Sequence, residues 1–272
     1  MKRILGGALV ASLLVVGGCS YLGTAIDAAA NKTGDVVGQR IGDHVVRTWS
    51  PMMMNYYNGY LFGLAFNSGG YEVGETPYKV GEWTRWTAEG RSGGDAAATK
   101  PNTLERAFLY VDKDKQQVWR VKFTDGETND TIVLEAKFAA DRSKLLRMRA
   151  KYPKDAEAQE VPVDDQTYYV PPRKITKESL KGATVGTEAV TVPAGTFDKT
   201  QHIKFGSPAG VTQEWWLVAT GIPGGTVQYR EAAQQQNANQ PEGAGKDIDP
   251  DNYMMKLAAH GAGAVTELGF KD

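Results

Sequence analysis

The chain has 272 residues, a formal net charge of −1 at pH 7 and a sequence pI of about 6.3. A chain so close to neutral lacks the excess of basic residues that nucleic-acid binding requires. It contains 31 glycines, 6 tryptophans, 12 tyrosines and 8 phenylalanines, a composition that favours sheets with tight turns over a helical bundle. Its single cysteine excludes an intramolecular disulfide.

The N-terminus has the form of a secretory signal. Lys2 and Arg3 precede an apolar run from Ile4 to Val16, which is too short to be a comfortable membrane span. The run is followed by Gly-Gly-Cys, ending at Cys19, and this ending resembles the lipobox of bacterial lipoproteins. The resemblance implies a signal peptide over residues 1–18 and acylation of Cys19, as by palmitate. An ordinary signal peptide with an incidental cysteine is the alternative.

The lipobox resemblance also implies a location. Ser20 follows the cysteine where inner-membrane lipoproteins carry a retention aspartate, so we expect the outer membrane, with the protein facing the periplasm or the cell surface. Several acyl chains on one cysteine anchor a protein stably, because each buried CH₂ contributes about 0.8 kcal/mol. No later apolar run is long enough to cross a bilayer, so the sequence predicts a folded body held at the membrane by its lipid.

A helical repeat of small residues follows the anchor, between Leu22 and Thr48. Small residues recur there at every fourth position, which places them on one helix face and lets another backbone approach closely. They are Ala30, Gly34, Gly38 and Gly42. One interpretation is a helix for self-association or for docking an envelope protein. The other is a glycine-rich tether packed on its own domain, because each interior glycine costs about 1 kcal/mol relative to alanine.

Methionine and aromatic residues dominate the next segment, from Met52 to Phe66. Such side chains fill irregular apolar gaps or line adaptable binding surfaces. We therefore expect this segment to cover the core of the following domain, with a ligand-contact or membrane-contact surface as the alternative. Residues 19–66 together form the predicted lipidated N-terminus, glycine-rich helix and aromatic segment.

Residues 78–230 are predicted to form an antiparallel β domain, because apolar and polar residues alternate between clusters of turn residues. Lys177 to Lys181 is predicted as a short helical turn. The predicted fold class is α+β and mostly β, with an N-terminal helical segment and a curved antiparallel sheet. The clearest strands are Arg106 to Asp112, Gln117 to Thr124, Thr131 to Phe138, Leu145 to Tyr152, Phe197 to Phe205, Gln213 to Val218 and Thr226 to Arg230.

Four motifs follow one another along the chain: Val-Gly-Glu-Trp, Val-Pro-Ala-Gly-Thr-Phe, a strand with two tryptophans, and Ile-Pro-Gly-Gly. They stand here at Val80 to Trp83, Val192 to Phe197, Trp215 with Trp216, and Ile222 to Gly225. From Tyr78 to Tyr229 the chain thereby resembles an uncharacterised family of secreted and lipoprotein β domains of Gram-negative bacteria. The last motif departs from that family by Ile in place of Val. The resemblance implies a curved sheet like that of lipoprotein carriers, or an open barrel, and no active site.

The tryptophans are the candidate lining of a ligand cavity. Neighbouring strand residues point to opposite faces, so one of Trp215 and Trp216 covers a core and the other needs a lid or a partner. If the protein is a carrier, four tryptophans line the cavity for its apolar ligand. They are Trp83, Trp86, Trp215 and Trp216.

Residues 231–272 are predicted as a polar loop followed by a short helix from Tyr253 to His260. Asp247, Asp249 and Asp251 alternate like the start of a calcium loop. Ala258 stands where the last ligand of such a loop would be a glutamate, so the sequence predicts a turn here and no metal site.

Motifs for catalysis are absent from the sequence. The histidines, His44, His202 and His260, have no metal-ligand spacing, and there is no phosphate loop or nucleophile elbow. Glu82 and Glu214 could act as acid and base only if the fold placed both in one cleft; otherwise they solvate an exposed face.

One set of basic residues has two interpretations. On neighbouring strands they could form a strip for an anionic partner, or they could be the solvated face of a meander. They are Arg120, Lys122, Arg147 and Arg149.

The sequence thus predicts an outer-membrane lipoprotein without enzymatic activity, cofactor or metal, attached to the membrane by its lipid. We expect it to act as an accessory or assembly subunit of an envelope complex. The alternative is a periplasmic or outer-membrane carrier that binds an apolar ligand such as a lipid in a curved β-sheet.

Overall fold

The computed structural model describes residues 58, 62, 66, 71–73, 76–90, 100–164, 167, 169, 171, 173–206, 211–233 and 253–270. Three predicted features lie outside these residues: the lipid anchor at Cys19, the small-residue helix, and the alternating aspartates from Asp247 to Asp251. The small-residue helix comprises the predicted partner-binding residues Ala30, Gly34, Gly38 and Gly42.

An open, antiparallel, eleven-stranded sheet dominates the described residues, in the order β7-β6-β5-β4-β3-β2-β13-β12-β11-β10-β9. The short β1 and β8 pair separately and in parallel. No helix in the described part of the chain is long and apolar enough to span a bilayer. The elements are β1 (Tyr71–Glu72), β2 (Trp83–Gly90), β3 (Asn102–Val111), β4 (Gln117–Thr124), β5 (Thr131–Phe138), β6 (Leu145–Lys151), β7 (Gln159–Val161), β8 (Arg173–Lys174), α1 (Lys177–Ala183), β9 (Thr184–Val192), β10 (Gly195–Gly206), β11 (Val211–Leu217), β12 (Thr226–Ala233) and β13 (Tyr253–Gly261).

The predicted antiparallel β character is confirmed. The four strands from β3 to β6 and the helical turn at α1 lie within a few residues of their predicted positions. Local turn chemistry explains this agreement. In the β3–β4 turn, for example, Asp112 Oδ1 accepts hydrogen bonds from the backbone N–H groups of Asp114 and Gln116, at 2.9 and 2.8 Å.

The prediction of a helix from Tyr253 to His260 is wrong, because this segment is strand β13. β13 lies between β2 and β12, so the polar part of the chain after residue 230 returns to the same sheet. Met255 and Leu257 alternate into the core and are 2% and 0% exposed. Pairing on both sides satisfies the backbone hydrogen bonds of three strands at once, which outweighs the local helix preference of Met, Lys, Leu and Ala.

One face of the sheet carries the main apolar core. Three described residues of the aromatic segment, Asn58, Phe62 and Phe66, are helical and are 0%, 0% and 3% exposed. Phe62 meets the Phe138 ring edge-on with ring centres 5.5 Å apart, and Phe66 meets Trp119 in the same way at 5.2 Å. Asn58 exchanges hydrogen bonds with the Tyr152 hydroxyl at 2.8 and 3.1 Å. These residues therefore cover the sheet, as expected for this segment.

The chain after β13 packs on the opposite face. Phe270, which is 2% exposed, forms a second cluster with Ala107, Leu109 and Val118. This C-terminal tail, residues 263–270, therefore covers the face of the sheet that the aromatic segment leaves open.

Candidate functional site

An open cleft lies between α1 and the strands β9 to β11, at one end of the sheet. Its volume is about 610 Å³, within the range of about 300–1,000 Å³ typical of small-molecule sites. The buried side chains of Val73, Leu180 and Leu217 contribute apolar surface to it. The complete lining consists of Val73, Lys177, Leu180, Lys181, Thr184, Thr187, Lys199, Gln201, Leu217, Val218 and Ala219.

The helix α1 contributes Lys177, Leu180 and Lys181 to this lining. It begins after Thr176, whose side-chain oxygen accepts a hydrogen bond of 3.2 Å from the Ser179 N–H. At the other end, Thr184 Oγ donates to the Leu180 carbonyl at 2.8 Å and accepts from Gln201 Nε2 at 2.8 Å. These hydrogen bonds connect the end of α1 to β10. The helix forms one wall of the cleft and the sheet forms the other.

Three lysines face the cleft. Lys177 and Lys181 are one turn apart on α1, with Leu180 on the same helix face, and Lys199 comes from β10. Their stems can lie along the apolar surface while the ammonium groups stay in water. The spacing of the two helix lysines is visible in the sequence, but their approach to Lys199 depends on the fold, and sequence analysis missed it.

A second polar cluster lies on strands β9 to β12, centred on Glu214, which is 3% exposed. Its carboxylate accepts from Arg230 Nη2 at 3.0 Å and lies 3.3 Å from Lys204 Nζ. His202 lies between two carboxylates, with Nε2 2.9 Å from Glu214 and Nδ1 3.1 Å from Glu188. Its ring stacks on Trp216 with centres 4.4 Å apart. All of these partners fix Glu214 in one position.

The cations around Glu214 determine its charge. Burial raises the pKa of this carboxyl, but hydrogen bonds from Arg230 and His202, the charge of Arg230 and the hydrogen bond from Lys204 together lower the pKa below its usual range. Glu214 is therefore a carboxylate held in an ion network, which suits a structural role better than that of a general acid.

Glu82 and Glu214 are not brought into one cleft. Glu82 lies just before β2 and accepts a hydrogen bond of 2.8 Å from the Lys79 backbone. Glu214 lies on β11, and strands β13 and β12 separate β2 from β11. Three strand spacings amount to about 14 Å, whereas paired catalytic carboxyl groups of glycosidases lie about 5–9.5 Å apart.

The four predicted ligand-lining tryptophans lie on both faces of the sheet. Trp86 and Trp215 are buried in the main core, at 2% and 0% exposure. Trp216 belongs to the same core cluster at 7% exposure and stacks on His202, whereas Trp83 packs with the cluster beneath the C-terminal tail. None of the four is among the residues that line the cleft described above.

The predicted basic strip lies on one face of β4 and β6, where its side chains contact acidic groups and the C-terminal tail. It consists of Arg120, Lys122, Arg147 and Arg149. Arg120 pairs with Glu105 at 3.1 Å and with Glu267 at 2.7 Å, and its side chain is 7% exposed. Lys122 also pairs with Glu267, at 2.5 Å. Arg147 and Arg149 approach Glu160 at 2.6 and 3.7 Å, and Arg149 also donates to the Leu268 carbonyl. An external anion would have to compete with all of these groups.

Comparison with protein-family models and with curated proteins finds no match for this chain.

Two glycines of the motifs that carry the family resemblance have structural roles in the fold. Gly81 has φ +84° and donates to the Phe108 carbonyl at 2.7 Å. Gly224 has φ +78°, and a Cβ there would lie 2.8 Å from the Tyr78 ring. Among the described residues, no group of three His, Cys, Asp or Glu side chains is placed to hold a metal ion.

Proposed function

We propose that this chain is a lipid-anchored protein of the bacterial outer membrane that works by binding, and that it holds an apolar or amphipathic ligand in the cleft beside α1. The cleft is the observation that carries the proposal. It combines buried apolar side chains with a rim of polar groups, as small-molecule sites do. Such a protein would be a carrier or ligand-binding lipoprotein.

Filling the cleft should strongly reduce binding. Ala219 is exposed and lines the cleft, so Ala219→Trp should occupy the ligand space without disturbing the core. We expect full-length wild type, purified from membranes in a nonionic detergent, to retain added single-chain phospholipids in native mass spectra. Ala219→Trp should retain at least about tenfold less.

The neighbouring Thr220 is exposed but does not line the cleft, which makes Thr220→Trp the matched control. It should bind like wild type. Equal retention by all three proteins would show that the lipids bind elsewhere, and would exclude the cleft as the site.

The proposed anchor predicts a change in location. Cys19→Ala removes the only sulfur that could be acylated by the lipoprotein route. We expect the variant to leave the membrane fraction, because no helix of the described residues could hold it there by spanning the bilayer. Fractionation of cells followed by immunoblotting measures this. Membrane retention of the variant at the wild-type level would contradict a lipid anchor on Cys19.

An accessory or assembly subunit of an envelope complex is the second candidate. The edge strand β9 favours it, because among the described strands β9 pairs only with β10 and Val185 on it is 61% exposed. Such an edge can accept a strand from another protein. The purification described above also tests this candidate: a protein partner should co-purify with wild type and be lost from Gly34→Leu/Gly38→Leu. Recovery of a lipid without any protein partner would contradict the assembly subunit and support the carrier.

A further inference from the structure

We propose that His202 is a proton-dependent clamp on the edge strand β9. With a proton on both ring nitrogens it joins Glu188 of β9 to Glu214 of β11, and loss of one proton releases Glu188. The inference goes beyond the proposed binding function, because it concerns the strand itself and applies whether or not the cleft is filled.

The surroundings of the His202 ring carry the inference. Nδ1 lies 3.1 Å from Glu188 Oε1 and Nε2 lies 2.9 Å from Glu214 Oε2, so each ring nitrogen faces a carboxylate oxygen. An ionised carboxylate only accepts hydrogen bonds, and a neutral imidazole has only one N–H. Both contacts are therefore hydrogen bonds only when the ring carries both protons. The neutral ring turns a lone pair toward one of the two carboxylates, and that contact is lost.

The other charged groups decide which contact is lost. Lys204 and Arg230 lie 3.3 and 3.0 Å from Glu214 Oε1, and the Glu214 side chain is 4% exposed. Glu214 therefore stays in place when His202 is neutral and keeps the remaining ring N–H. The charged side chains nearest the ring or in its cross-strand row are Glu188 on β9, Lys204 on β10, Glu214 on β11, Arg230 on β12 and Lys256 on β13.

Glu188 is the carboxylate that can leave. Its side chain is 51% exposed, so water can solvate the carboxylate when the ring no longer donates to it. Glu188 also accepts a hydrogen bond from Trp216 Nε1, and the His202 ring stacks on this tryptophan with centres 4.4 Å apart. A protonated ring gains from such stacking through its charge, which adds to the preference for the closed clamp.

The pairing of β9 explains why one side-chain contact matters there. Among the described strands β9 pairs only with β10, and residues 185–189 are exposed. The register is irregular on both sides of the three consecutive pairs from Glu188 to Gly186. The contact through His202 links β9 to β11 across β10, so it supports a short stretch of backbone pairing. Thr184 and Thr187 on this strand line the cleft, so opening of the clamp also loosens one cleft wall.

The test measures backbone hydrogen exchange of residues 185–189 in the full-length protein at about pH 5.5 and about pH 8, corrected for the intrinsic effect of pH on exchange. Nitrogen NMR shifts of isotope-labelled histidine report the charge of His202 in the same samples. Glu188→Gln is the key variant, because an amide can accept from a protonated ring nitrogen or donate to a bare one. His260→Gln removes an exposed histidine on β13 and is the matched control.

We expect protection of residues 185–189 to fall at least about threefold between the two pH values in wild type and in His260→Gln, as the loss of one hydrogen bond allows. Glu188→Gln should show no such fall. An equal fall in Glu188→Gln would place the pH effect outside the clamp. Unchanged protection in wild type while His202 loses its charge would show that the ring does not hold β9. A ring that keeps one charge state over the whole range would also overturn the inference. The measurement uses no ligand, so none of these outcomes depends on the proposed binding function.

Discussion

Replacement of Glu135 by alanine is expected to lower the free energy of unfolding by about 3 to 5 kcal/mol, since a buried carboxylate that accepts hydrogen bonds is costly to remove. Glu135 is 0% exposed, on the face of β5 that the C-terminal tail covers. It accepts a hydrogen bond of 2.6 Å from Thr266 Oγ and another of 2.6 Å from the Glu267 backbone N–H. Alanine leaves both donors without their acceptor.

The same substitution should release the tail. Arg120 Nη1 also donates to the Val265 carbonyl at 2.6 Å, and Tyr110 to the Phe270 carbonyl at 3.2 Å, but Glu135 bonds two consecutive residues of the tail. Urea denaturation gives the stability. Hydrogen exchange at the Glu267 and Phe270 amides reports the tail directly, and both should exchange faster in Glu135→Ala.

Glu160→Ala is the matched control. Glu160 lies on this face and pairs with Arg147, but its side chain is 49% exposed. Exposed ion pairs contribute about 0–1 kcal/mol, so its loss should change stability by no more than that and leave tail exchange unchanged. Equal effects of the two substitutions would mean that Glu135 does not anchor the tail.

The elements predicted well from the sequence are those specified by neighbouring residues. β4 and β5 match their predicted bounds because runs of apolar and polar residues are bounded by turns with their own side-chain hydrogen bonds. In the β4–β5 turn, Asp125 Oδ1 accepts from the N–H groups of Glu127 and Thr128, at 2.9 and 2.8 Å. Such contacts span only a few residues, so the local sequence contains the whole signal.

β13 was missed because its conformation depends on distant residues. Met255 pairs with Ala88 and with Tyr229, and the first of these lies more than 160 positions earlier in the chain. The local sequence Met-Met-Lys-Leu-Ala-Ala suits a helix equally well. Only the open position between β2 and β12 makes it a strand, and no short-range pattern reveals that position.

The candidate cleft shows the same limit for function. The spacing of four residues between Lys177 and Lys181 is visible in the sequence and places both on one helix face. Lys199 joins them only because β10 and α1 form two walls of one cleft. The tryptophans, which are conspicuous in the sequence, are divided between two faces, and a composition-based choice of ligand-lining residues therefore differs from the residues that form the cleft.

Replacement of Glu214 by glutamine is expected to reduce stability by about 2 kcal/mol at pH 7. The substitution preserves shape but removes the negative charge that Arg230, Lys204 and His202 surround. Loss of one member of a fully buried ion pair costs about 3 to 5 kcal/mol. Arg230 and Lys204 are 35% and 51% exposed, so water compensates part of the loss and the smaller figure applies.

The effect of Glu214→Gln should depend on pH in a defined direction. Because the pKa of Glu214 is lowered in the folded protein, the carboxylate stabilises the fold fully above the ordinary glutamate pKa of about 4.3. That contribution is lost as the pH falls through the lowered folded pKa, where wild type takes up the proton. The stability difference between wild type and Glu214→Gln should therefore be largest near neutrality and shrink below about pH 4. Urea denaturation at a series of pH values measures this difference.

Glu188→Gln is the control. Glu188 also contacts His202, but its side chain is 51% exposed, so this substitution should change stability by less than about 1 kcal/mol at every pH. A difference for Glu214→Gln that is constant from pH 7 to pH 3 would show that the charge of Glu214 does not stabilise the fold.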